Sequence, residues 1–193
     1  MTEQQLNEIT PSKIRIAAMG MLAGREYLQS QLAEKLAKKF DKSSFIPGVL
    51  DRLVEENLLS DQRFIEAFIR SRISRGQGET RIRLELKQRG ANLALVSKLL
   101  AEAEVDWYEL ALQTATNKFG QSQPTDAKEK AKRMRFLQYR GYNFDQINYA
   151  LKVFNLTAND RFFSYLPLSH VAERILIELG SIFTGGSVSF AES

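Results

Sequence analysis

Two short stretches of this chain concentrate side chains able to do chemistry, and that chemistry is the recognition of anions. Between Arg70 and Arg89 stand seven basic residues, Arg70, Arg72, Arg75, Arg81, Arg83, Lys87 and Arg89, against only Glu79 and Glu85. Guanidinium groups donate in a planar fork that matches phosphate or carboxylate, so the segment suits a nucleic-acid backbone and an acidic protein surface equally well. From Lys128 to Arg140 the chain carries Lys128, Lys130, Lys132, Arg133, Arg135 and Arg140 against Glu129 alone, interleaved with Phe136 and Tyr139 and followed by Tyr142. Bases of a single strand stack on rings while cations follow its backbone, so this mixture suits single-stranded nucleic acid. Phe136 and Leu137 fall on the apolar stripe and read as core, which leaves Tyr139 as the exposed ring.

Bond-making chemistry finds no support in the remaining residues. There is no cysteine, which removes disulfides, thiolate zinc sites and cysteine nucleophiles. His170 is the only histidine and has no visible acid or nucleophile partner. Glu55 with Glu56, and Glu102 with Glu104, have surface spacing and no metal-ligand pattern beside them. Gly76 and Gly78 invite a phosphate-loop reading, but that motif follows a strand and here a helix precedes it. A flexible turn between helices is the expectation, and Trp107 is expected to pack at a helix start. The sequence therefore predicts neither enzyme nor cofactor nor metal site.

The elements that must position these cations are helical. Thr10 and Pro11 suit the start of a helix running through Ile14, Ala18 and Leu22, with Gly24 expected to close it in a left-handed conformation. Leu32 and Leu36 mark a second helix, and Ser43 or Ser44 is placed to cap a third holding Ile46, Val49, Leu50 and Leu53. Ser60 or Asp61 caps the helix of Phe64, Ile65, Phe68 and Ile69; Gly90 ends the next; Asp106 and Asp126 begin two more. No segment shows sustained period-two alternation.

A recurrence orders these helices. KLAKKF, ELKQRG and FLQYRG end at Phe40, Gly90 and Gly141, 50 and 51 residues apart. Around these anchors the matched apolar positions are Leu36, Leu86 and Leu137; Ile46, Val96 and Ile147; Val49, Leu99 and Ala150; Leu50, Leu100 and Leu151; and Leu53, Ala103 and Phe154. A period of this length implies one helical unit used three times, and such arrays offer long binding faces. The expected fold is all-α: three tandem three-helix repeats at 11–59, 60–105 and 106–154 forming an elongated curved body. An extension, 1–10, precedes them. An irregular C-terminal tail, 155–193, follows, with one helix near 169–179 and a loose end over 184–193.

Charge makes the units unequal. The net charge is +4, yet residues 1–59 hold eight basic and eight acidic residues, while the second unit holds nine against six and the third eight against five. The positive excess therefore lies in the second and third units. No apolar run approaches the roughly 20 residues needed to span a bilayer, and MTEQQLNEITPSK lacks the pattern of a signal peptide, so a cytoplasmic monomer without membrane contact is expected.

Three stretches resemble the RecX family, regulators of the RecA recombinase: REYLQSQLAEKLAKKF, LLSDQRFIEAFIRSRISRGQGETRIRLELKQRG and KAKRMRFLQYRGYNFDQINYAL. The second is the most specific, joining an acidic cap, an aromatic helix, a basic GxG turn and a short basic helix ending in Gly. The resemblance spans about residues 13–154 and implies three tandem three-helix units. It also implies a non-enzymatic partner of the RecA filament on single-stranded DNA, which lodges in the filament groove and touches DNA directly or through the filament. Such a protein would restrain ATP hydrolysis, strand exchange and co-protease action in DNA repair and the SOS response. The alternative from the residues alone is a stand-alone helical nucleic-acid-binding module. One departure is Leu28, which stands where similar sequences carry a capping Ser or Thr, so fraying of that helix start is expected.

Overall fold

The computed structural model describes residues 9–153, 161–164 and 187–190. Among the described residues the chain forms nine helices and two short strands. The first unit holds α1 (Pro11–Leu22), α2 (Gln29–Lys39) and α3 (Ile46–Glu55). Next come α4 (Asp61–Ile73), α5 (Glu79–Gln88) and α6 (Leu93–Glu102), then α7 (Trp107–Phe119), α8 (Ala127–Arg140) and α9 (Phe144–Val153).

Most helix ends follow their sequence signals. The side chains of Thr10, Ser60, Asp106 and Asp126 each accept a backbone N–H from the first turn they open. Gly90 and Gly141 turn the chain out of α5 and α8 with φ of 80° and 94°. Two expectations need correction. Gly24 is not left-handed: α1 stops at Leu22 and Ala23 caps it in the right-handed region. Neither Ser43 nor Ser44 caps α3, whose N-cap is Phe45; Pro47, with its fixed φ, occupies the first turn and sets the start one residue before it.

The recurrent apolar positions form the cores. Leu36, Leu86 and Leu137 are wholly buried, and the matched triplets at 46/96/147, 49/99/150 and 50/100/151 are all buried. Each fully buried leucine contributes about 1.5–3 kcal/mol. The last series breaks in the second unit: Leu53 is buried, but Ala103 is the exposed C-cap of α6. Its third member, Phe154, lies outside the described residues.

The units are joined in two different ways. Leu28, at the N-cap of α2, is fully buried in the core that α4, α5 and α6 build. Its missing cap comes from the next unit, because the Gln29 N–H donates to Asp61 Oδ1 at 2.7 Å. Gln31 adds a donation to the Arg89 carbonyl at 3.4 Å. The fraying expected at Leu28 is thereby countered: the apolar residue serves the second core while a carboxylate from α4 takes the orphan donor.

Between the second and third units the contact is backbone on backbone. The Gly78 N–H donates to the Arg140 carbonyl at 2.9 Å. A Cβ on Gly78 would overlap the Gly141 carbonyl and come within 2.8 Å of Tyr142 N, while one on Gly141 would overlap Arg81. Only glycine permits that approach. The turn between α4 and α5 is thus a packed joint rather than the flexible turn the sequence suggested. Its Gly78 N–H is committed to protein and does not cradle a phosphate.

In the tail, β1 (Arg161–Ser164) and β2 (Ser187–Phe190) pair in parallel, Arg161 opposite Ser187 and Ser164 opposite Phe190. The loose end expected over 184–193 therefore contains a strand; RFFS and SVSF are rich in aromatic and β-branched types that favour extended backbone. The helix predicted near 169–179, with His170, lies outside the described residues, as does most of the extension 1–10.

Candidate functional site

On α4 and α5 one carboxylate organises the cations. Glu85 Oε2 accepts from Arg72 Nε at 2.9 Å and Glu85 Oε1 from Arg81 Nε at 3.0 Å, while Arg89 lies 3.7 Å from the same group. Burial pushes the Glu85 carboxyl up, but the hydrogen bonds from Arg81 and Arg72 outweigh it and hold the group below its ordinary value. The Glu85 hydrogen bond is likewise the main cause that raises Arg81. Arg72 and Arg89 both lie over the Phe68 ring, at 4.4 and 4.6 Å. Arg83 pairs with Glu79 at 2.7 Å and reaches Ser97 Oγ at 2.7 Å. Arg70, Arg75 and Lys87 are exposed and form no ion pair among the described residues.

Two of the predicted contact residues hold the second joint. Arg81 donates to the Tyr139 carbonyl at 3.3 Å and covers the Tyr139 ring at 4.7 Å. Arg140 donates to the Arg75 carbonyl at 2.6 Å and lies over Phe136. Tyr139 is nonetheless 70% exposed, as expected of the outward ring.

On α8 the spacing separates two faces. Lys128, Lys132 and Arg135 follow at steps of four and three, line one shallow surface cleft with Thr125, Asp126 and Glu129, and lead to Tyr139 four residues on. Arg133 belongs to the opposite face and must be withdrawn as a partner contact, since it is only 1% exposed. It donates to the Ser122 carbonyl and to Glu129, both at 2.7 Å, and packs over Phe119 at 5.2 Å, fixing the loop between α7 and α8. The Thr125 N–H, then Arg133, then the Thr125 hydroxyl hold the Glu129 carboxyl down at about 2. A signal was present in the sequence: Arg133 stands four residues before Leu137, on the buried stripe.

Arg25, Lys35 and Lys38 escaped the sequence reading, although they share a cleft with two candidates it named, Arg72 and Arg89. This cleft of about 540 Å³ opens where the first unit meets the second, lined by Arg25, Lys35 and Lys38 from one side and Phe64, Phe68, Arg72 and Arg89 from the other. The neutral charge sum of residues 1–59 hid it, because Glu56, paired with Arg15, and Asp51, bonded by Gln29, cancel these cations in the count without pairing with them. No group of His, Asp and Glu able to hold a metal occurs among the described residues.

The matching of this chain to known proteins agrees with its helical units. Family models described as RecX, second three-helix domain, and RecX, third three-helix domain, match residues 60–99 and 104–151. The regulatory protein RecX of Halorhodospira halophila is 42% identical over 137 residues, 71% of this chain and 85% of that protein. This chain belongs to the RecX family. A second RecX relative, from Ectopseudomonas mendocina, is 42% identical over 142 residues, 74% of this chain and 95% of its own. The crystal structure of RecX from Lactobacillus salivarius matches with a TM-score of 0.65 at 18% identity, over 75% of this chain and 96% of that one. At that identity the likeness speaks for the RecX fold alone.

Proposed function

We propose that this protein is a non-enzymatic negative regulator of the RecA recombinase, acting in the cytoplasm as a monomer on RecA filaments assembled on single-stranded DNA. It restrains their ATP hydrolysis, strand exchange and co-protease action. The observation that carries the reading is membership of a family whose relatives are named regulatory proteins, on a chain whose exposed cations are spread over all three units. A filament offers acidic protein surface and phosphate side by side, and both suit Lys and Arg. The stripe of Lys128, Lys132, Arg135 and Tyr139 favours a second reading, a stand-alone module for single strands, because cations there lead to an exposed ring.

Titrating the protein into RecA hydrolysing ATP on single-stranded DNA tests the proposal. Inhibition that saturates below one regulator per recombinase is expected, and Lys128→Glu/Lys132→Glu/Arg135→Glu weakens it while helix content is kept. No inhibition at equal concentrations contradicts the proposal. Arg81 is left out of the charge reversal because it holds the second joint.

A further inference from the structure

We propose that the cleft between the first and second units binds an extended acidic segment of a partner protein, one that carries apolar side chains between its carboxylates. The proposal deepens the regulator reading and rests on it for the existence of a protein partner.

Cations outnumber carboxylates around the cleft: Arg25, Lys35, Lys38, Arg72 and Arg89 stand against Glu34 and against Glu26, which Arg63 holds at 2.9 Å. Arg25 lies 4.4 Å and Lys35 5.7 Å from the ring centre of Tyr27, which is itself buried. Lys35 and Lys38 are exposed, three residues apart on α2, and form no ion pair among the described residues. The floor is apolar: Phe64 and Phe68 stack at 6.1 Å and are only partly buried against the second core. An occupant matched to both must be negative at its edges and apolar at its centre.

A nucleic-acid strand fits less well. Phe68 already carries two guanidinium groups and Phe64 stacks on it, so the floor offers no free stacking platform for a base. Glu34 on the rim, with no ion-pair partner among the described residues, repels a backbone charged at every nucleotide but leaves room for carboxylates that are spaced apart. At about 540 Å³ the cleft has room for a few side chains.

The test uses the full chain and fluorescence anisotropy with two probes: a short labelled peptide rich in Asp and Glu with interspersed Leu, and labelled oligothymidylate. Lys35→Glu/Lys38→Glu is expected to weaken the peptide by about tenfold or more and the oligonucleotide by less than about twofold. Replacing Leu by Ser in the peptide is expected to weaken it as well. Peptide binding that ignores both lysines, a Ser peptide that binds as tightly, or an oligonucleotide that displaces the peptide and is lost with it would each overturn the assignment. Recombinase inhibition by the unaltered protein is measured beside it. Its absence counts against the regulator reading, whereas an indifferent peptide counts against the cleft alone.

Discussion

The joint between the first and second units is made by side chains; the joint between the second and third brings backbone against backbone, with arginine side chains closing over it. At the first, one leucine crosses into its neighbour's core and one aspartate caps its neighbour's helix, leaving an open cleft with cations on its rim. At the second, Gly78 and Gly141 bring two backbone segments into direct contact, and the arginines around them, Arg81 and Arg140, donate to carbonyls across the seam. Cations therefore have different work at the two places. Arg81 and Arg140 at the glycine joint are part of the fold, while Lys35 and Lys38 at the leucine joint face solvent and are available to a partner.

Breaking the first joint is expected to cost most. Leu28→Ala removes a fully buried side chain and should lower stability by about 3 kcal/mol, read from urea unfolding, with faster amide exchange in α2 and α4 but not in α7–α9. Gly78→Ala tests the second joint: forced overlap with backbone should cost about 2 kcal/mol and loosen α8 and α9. An unchanged third unit would show that the glycines are not what holds it. Asp61→Ala should cost about 1 kcal/mol, with faster exchange confined to the start of α2.

The smallest effect expected concerns the third unit and pH. Glu129 has a folded pKa of about 2, below the usual 4.5, so it contributes stability that is fully present above 4.5 and disappears as pH falls through 2. Glu129→Gln should therefore melt below the unaltered protein at pH 7 and together with it near pH 2. Equal melting at both pH values would mean that the bonds from Thr125 and Arg133 contribute nothing to the fold.

What could be read from the chain follows from which forces are local. Leu36, Leu86, Leu137 and their followers were legible because core spacing repeats with the helix, and Asp106 or Asp126 because a cap acts within one turn. The two joints were not legible, since a cap that Asp61 sends back to Gln29, or a contact between Gly78 and Gly141, joins residues 32 and 63 positions apart. Arg133 and Lys35 show the same limit for the site. Summing charge along a segment counted the first as surface and cancelled the second against carboxylates with which it forms no ion pair among the described residues.

The most direct test of regulation is a comparison of affinities on two ligands. Anisotropy of labelled single-stranded DNA, bare and coated with RecA, is measured as this protein is added across a range of salt. Regulation through the filament predicts tight binding to the coated strand and much weaker, steeply salt-dependent binding to the bare one. Equal affinity for both would contradict it and leave a nucleic-acid module in its place.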